Sequence, residues 1–136
     1  MQRKRSMKKY NVLGIGNAVV DVISQSSDLF LEKMNIEKGI MQLVDRDRGE
    51  LLYNSMDNRR QAPGGSVANT IAGIGELGLK TGFIGKVGND DLGNFYRSTM
   101  EKKGTDFLNE LIDESDLPTS RSMIFVSDDG ERSMNT

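Results

Sequence analysis

The sequence predicts an α/β protein with a mainly parallel sheet flanked by helices, and three observations predict it. Apolar or β-branched runs at about 10–15, 81–87 and 120–127 alternate with helical stretches at about 66–77 and 91–103, the order that parallel sheets require. The first apolar run breaks at Gly14 and Gly16 before a second β-branched run begins, which reads as two strands joined at glycines. The adjacent pair Gly64-Gly65 then stands at the mouth of the helix at 66–77, where a backbone without Cβ can come close to something else.

Each element has a local reason. In "YNVLGIGNAVVDVIS" (10–24) the apolar run into Gly14 gives one strand, and Val19, Val20, Val22 and Ile23 give the next. "SDLFLEKMNIEKG" suits a helix capped by Ser27 and stopped near Gly39, and "IMQLV" (40–44) a short strand. Asp45 can cap a helix over "RDRGELLYNSM", with Leu51, Leu52 and Met56 on its apolar side. Val67, Ile71 and Ile74 recur at helical spacing beside small Ala68, Ala72 and Gly75. A short strand in 80–88 leads to Asp90, a cap for a helix whose apolar side is Leu92, Phe95, Tyr96 and Met100, and Gly104 stops it. "TSRSMIFVSDDGERSMNT" reads as a hairpin turning at Asp129-Gly130, with Asp129 and Glu131 as turn and rim charges. The hairpin and the runs at 19–24 and 40–44 are expected as additions to the main sheet.

Composition narrows the chemistry. At 136 residues the chain is one ordinary domain or a piece of a larger one. It has no Cys and no His, so neither a disulfide framework nor a thiolate metal site is available, and acid–base work would fall to carboxylates, Lys or Tyr. A net charge of −2 gives no general nucleic-acid signal. The basic run "MQRKRSMKK" (1–9) reads as a solvated, disordered tail, with a nucleic-acid arm or an organelle address as the alternatives. No apolar region of a secretory signal follows it, and no stretch approaches the ~20 apolar residues of a membrane span. The expectation is a cytoplasmic protein with no nucleic-acid or membrane partner.

Nucleotide-binding motifs fail on context. "GIGELG" (73–78) follows a helical run rather than a strand, and "GIGNAV" (14–19) has Val19 at the third glycine and an extended run after it. Lys80 stands where the first phosphate-loop glycine belongs before Gly85-Lys86, and Val87 replaces the Ser or Thr. A set of polar groups at strand ends survives: Asn17 and Asp21 around the first turn, and Gly64, Gly65 and Asn69 at the helix mouth. Open α/β sheets bind ligands at the carboxyl ends of their strands. A carboxylate accepting from hydroxyls, two amides and two unobstructed glycine N–H groups would suit a polyol such as a sugar or ribose. The alternative is a tight helix entry, a surface Asp and a local cap.

The stretches "GIGNAVVDV", "APGGSVANTIAGIGELG" and "TGFIGKVGNDDLG" resemble the N-terminal half of ribokinase/PfkB-type carbohydrate and nucleoside kinases, from about Tyr10 to the end and including "GERSMNT". The resemblance implies a ribokinase-like fold, with a small β-lid that closes over the sugar and comprises about 19–24, 40–44 and 120–136. It implies that Asp21 holds substrate hydroxyls, with Asn17, Gly64, Gly65 and Asn69 completing the cradle and the glycines letting a ribose-like ring lie against the main chain. Asn17 after Gly16, and Ser66 after the glycine pair, look like adenosine-kinase-type members, and Val19, Met41, Leu43 and Met134 would then wall a base. ATP and Mg²⁺ are implied as cofactors, a sugar or nucleoside as substrate, and a homodimer through the lid. The family's Gly-Ala-Gly-Asp stretch, whose Asp takes the substrate proton, is absent from these residues, so no catalytic residue is assigned and the chain alone is expected to be inactive. Two readings follow: the N-terminal part of an ATP-dependent kinase of adenosine or a related sugar, or an inactive remnant that binds a ligand or a partner. A dinucleotide-binding domain is a third.

Overall fold

The computed structural model describes residues 7–113 and 117–136, so Arg3, Lys4 and Arg5 of the basic run lie outside the described residues. The chain divides into two compact units. One comprises the residues up to Ala18 together with Gly65–Pro118, and the other comprises Val19–Gly64 and Thr119–Thr136.

The first unit is built on a three-stranded parallel sheet of β1 (Val12–Ile15), β5 (Thr81–Ile84) and β6 (Thr105–Phe107), in the order β1-β5-β6. Two helices pack on it, α3 (Ser66–Glu76) and α4 (Asp91–Lys102). Helix α4 starts where the Asp90 carboxylate accepts from Gly93 N–H at 2.8 Å, and Gly104, at φ +91°, follows its end. On the face turned to the helices, Phe83, Tyr96 and Phe107 form the core, with ring centroids 6.1–6.2 Å apart. The expected strand at 81–87 ends at Ile84, and β6, three residues long with exposed Asp106 between two buried neighbours, had too little pattern to stand out.

The second unit carries a sheet of its own, a correction to the expectation that its strands extend the first. It runs β3-β8-β7-β2-β4, with β2 (Val19–Gln25), β3 (Met41–Gln42), β4 (Arg60–Gly64), β7 (Arg121–Val126) and β8 (Arg132–Asn135). Strand β2 continues the sequence of β1 yet pairs parallel with β7 and antiparallel with β4. The β7–β8 hairpin forms as read, but three residues, Asp128 to Gly130, separate Ser127 from Glu131, whose carbonyl accepts from Ser127 N–H at 3.0 Å. Gly130 takes the left-handed position, φ +85°.

Helices α1 (Asp28–Lys33) and α2 (Arg46–Ser55) cover one face of this sheet. Phe30 meets Phe125 at 5.7 Å between ring centroids, and Leu31, Leu52, Met56, Met123 and Phe125 are buried. Ser27 and Asp45 cap these helices as their sequences imply. Three expectations are corrected. Helix α1 stops at Lys33, before Asn35 turns left-handed (φ 52°), rather than near Gly39. Strand β3 shrinks to two residues. Leu51 faces solvent while Leu52 carries the core contact.

Candidate functional site

Asp21 lies mid-strand in β2. The register sets it between Ala62 of β4 and Ser122 of β7. Side chains alternate along a strand and match across paired positions, so Val19, Asp21, Ile23, Ser122, Ile124, Met134 and Met41 share one face, opposite the helix-covered one. The fold therefore brings Asp21 onto one surface with three of the four expected wall residues. Leu43 lies just past β3 and is exposed.

The Asp21 carboxylate is half-buried, and among the described residues no hydrogen bond reaches it. Burial pushes its pKa above the ordinary carboxylate value, and the Arg132 charge pulls it back by less. A carboxylate partly removed from water without a donor is an unfavourable arrangement for the protein by itself. It is what a group placed to accept from ligand hydroxyls would look like.

The glycine pair explains how that carboxylate is accommodated. A Cβ on Gly64 would stand 2.7 Å from Asp21 Oδ1 and 2.9 Å from Cγ; the carboxylate lies across β4 where only glycine leaves room. Gly65 has φ +103°, and a Cβ there would run into the Asn17 carbonyl oxygen. At both positions the atoms that a Cβ would meet first are the protein's own. The Asn17 side chain is exposed. Asn69 sits in the first turn of α3, its N–H bonded to Gly65 O at 2.9 Å and its side chain exposed.

Gly65 is also the N-cap of α3. It offers no capping side chain, and the first turn holds no acidic residue. A helix N-terminus leaves backbone N–H groups without helical partners and carries partial positive charge, so the start of α3 can donate to an oxygen-rich ligand.

Sequence reasoning missed Ser122 and Thr136. Ser122 is the β7 neighbour of Asp21, and its Oγ lies 2.8 Å from Thr136 Oγ1. Alternation in "RSMIFV" could show that Ser122 and Ile124 share a face, but the register with β2 decides that this face is the one holding Asp21. Among the described residues there is no group of three or more acidic side chains that could hold a metal ion.

Comparison with known proteins settles the kinship. The model of the pfkB family of carbohydrate kinases matches residues 36–136. The chain belongs to this family. Among curated pfkB relatives, a fructokinase of Salmonella typhimurium is 36% identical over 83 residues, 61% of this chain and 27% of that protein. An ATP-dependent ribose-1-phosphate kinase of Halopiger xanaduensis is 39% identical over 77 residues, 57% of this chain and 26% of that one. Among solved structures, the adenosine kinase from Sinorhizobium meliloti superposes with a TM-score of 0.81 at 48% identity, covering 94% of this chain and 39% of that one. A probable sugar kinase from Rhizobium etli CFN 42 gives 0.80 at 43% identity, covering 95% and 39%. The chain thus spans about a quarter of the curated relatives' length and two-fifths of the solved structures. The architecture is the ribokinase-like α/β fold, N-terminal part. Among the described residues no helix is long and apolar enough to cross a membrane.

Proposed function

We propose that this chain is the substrate-holding part of an ATP-dependent kinase that phosphorylates a hydroxymethyl group of a sugar or nucleoside, adenosine or a close relative. The observation that carries the reading is the Asp21 carboxylate, half-buried, without a hydrogen-bond donor and raised in pKa. In this reading Asp21 accepts from two adjacent hydroxyls of the substrate. The five-stranded sheet supplies the lid, and Val19, Met41, Leu43 and Met134 give an apolar wall to a base. Identity of 48% to an adenosine kinase supports the nucleoside over a plain sugar.

ATP supplies the phosphoryl group in such a reaction, and this reading assigns none of the described residues to it. Their part is orientation, because phosphoryl transfer depends on positioning and electrostatic stabilisation. A group that takes the hydroxyl proton is worth about 10²–10⁴-fold, and Asp21 is committed to holding the polyol. The chain incubated with ATP, Mg²⁺ and adenosine, ribose or fructose is therefore expected to form no ADP above a protein-free blank. Substrate-dependent ADP from a monodisperse monomer would place a catalytic centre within these residues.

Binding is the direct test. Titration calorimetry should detect adenosine more tightly than ribose or fructose. Asp21→Ala should weaken that binding by about 1.5–3 kcal/mol, the worth of a hydrogen bond to a charged group, and Asp21→Asn should weaken it less. Unchanged affinity in Asp21→Ala would remove the assigned role.

A further inference from the structure

Parallel strands all begin at the same end of their sheet, so the segments that lead into β1, β5 and β6 lie side by side. Each of them carries lysine: Lys8 and Lys9 before Val12, Lys80 before Thr81, and Lys102 and Lys103 before Thr105. Hydrogen bonds hold the three segments together. Asn11 N–H donates to Lys80 O at 2.8 Å, and Lys80 N–H donates to Asn11 Oδ1 at 2.9 Å. The Tyr10 hydroxyl reaches from the start of β1 to β6 and donates to Asp106 Oδ2 at 2.8 Å. Lys9, Tyr10, Lys80, Gly104 and Asp106 line one cavity of about 180 Å³.

All five lysines are exposed, and none of them forms an ion pair among the described residues. Of the described acidic residues at this end, Asp106 receives the Tyr10 hydroxyl and Glu101 pairs with Arg97 at 3.2 Å, which leaves Glu76 against the lysines. Lys102 and Lys103 complement the negative end of α4. Lys8, Lys9 and Lys80 lie outside the helices and have no such role. The same segments carry apolar tips. Met7 is 96% exposed, Leu77 86% and Leu79 50%. Between the two leucines Gly78 turns left-handed, φ +98°, with nothing within 4 Å of where its Cβ would be, so the turn stands out into solvent.

Lysines flanked by exposed apolar side chains suit the surface of an anionic bilayer. The ammonium groups meet lipid phosphates and carboxylates, and the apolar tips enter the boundary between headgroups and acyl chains. A nucleic acid would engage the lysines but leave Leu77 and Leu79 in water. We propose that this end of the three-stranded sheet attaches peripherally to membranes rich in anionic lipid, with Lys8, Lys9, Lys80, Lys102 and Lys103 as electrostatic contacts and Leu77 and Leu79 as inserted tips. Attachment of this kind needs no spanning segment, and it does not depend on what Asp21 holds.

The test is co-sedimentation of the 136-residue chain with vesicles. At low ionic strength the chain should sediment with vesicles of equimolar phosphatidylcholine and phosphatidylserine, stay in solution with phosphatidylcholine alone, and be released as salt screens the charges. Lys9→Gln and Lys80→Gln should each weaken binding about fivefold, and together about 25-fold. Leu77→Gln with Leu79→Gln should weaken it while leaving its salt dependence unchanged. Lys33→Gln, on α1 in the other unit, should not alter it. All of these side chains are exposed, so the circular dichroism of every variant should match the parent. Because the chain has no Cys, a solvatochromic dye on Leu77→Cys reads insertion directly. Its emission should shift to the blue with phosphatidylserine vesicles, and that of the dye on Leu29→Cys should not. No sedimentation with those vesicles, binding indifferent to the lysine substitutions, binding lost on deletion of residues 1–6 but not through those substitutions, or no shift at Leu77 would each overturn the proposal. Tighter binding of a single-stranded oligonucleotide than of vesicles, lost with Lys9 and Lys80, would assign the surface to nucleic acid and overturn it too.

Discussion

At the scale of single residues, Gly64 and Gly65 make different demands although they are neighbours. Gly65 combines φ +103° with a backbone oxygen where its Cβ would be, so Gly65→Ala should cost about 1–3 kcal/mol of stability, read as a lower urea midpoint with or without ligand. Gly64 faces a carboxylate that can swing aside. Gly64→Ala should therefore cost less stability and displace Asp21, lowering adenosine affinity roughly tenfold or more, by the loss of about 1.5–3 kcal/mol of charged hydrogen bonding. Asp21 itself adds a pH signature. Its pKa is raised in the folded chain, so the folded state holds the proton more tightly, and stability falls as pH rises from about 3.8, the ordinary value, through the raised one. Asp21→Asn removes that penalty. Its melting temperature should exceed that of the parent at pH 7, with the gap closing as pH falls below the ordinary carboxylate value.

At the scale of elements, helix starts follow local rules closely. Asp45 accepts from Arg48 N–H at 2.8 Å at the head of α2, and Asp45→Ala should cost about 1 kcal/mol, the usual loss for a removed N-cap, measured by chemical denaturation. In α4 and β5 the stability lies in the aromatic cluster. Phe83 is fully buried between Tyr96 and Phe107, so Phe83→Ala should cost about 3–5 kcal/mol and unfold the first unit early in a thermal scan. Strand β4 was not legible because "RQAPG" is polar and contains Pro63, which has no N–H to give a ladder. Its place explains the tolerance: β4 is an edge strand with a neighbour on one side only. At the hairpin, Lys38 Nζ contacts Asp129 at 2.6 Å and Asp28 at 2.8 Å, and this pairing holds the Asp129 carboxyl down at about 2. Whatever that solvent-facing pair contributes is present above the ordinary carboxylate pKa and is lost as pH falls from there towards 2.

At the scale of the whole molecule, two sheets with different rules share one chain. The parallel sheet needs cover on both faces and shows Leu13 and Ile15 on the side without helices. The mixed sheet buries one face under α1 and α2 and offers the other, with Asp21 on it.

What the sequence determined by itself was whatever short-range chemistry dictates. The caps at Ser27, Asp45 and Asp90, the left-handed glycines after α4 and in the hairpin and the 3.6-residue periodicity of α3 are all set within a few residues, whereas Asp21, expected at a strand end, lies inside β2. Tertiary structure alone decided that β1 and β2, consecutive in sequence, part into different sheets, because pairing is chosen by long-range partners that no local window contains. It also decided that Ser122 and Thr136 lie on Asp21's face, since register between distant strands assigns faces. The glycine pair shows the same division. Its presence in the sequence announced a close approach, but only the packed chain shows that the approaching atoms are the Asp21 carboxylate and the Asn17 carbonyl, because steric exclusion depends on what the fold brings beside a residue, not on the residue itself.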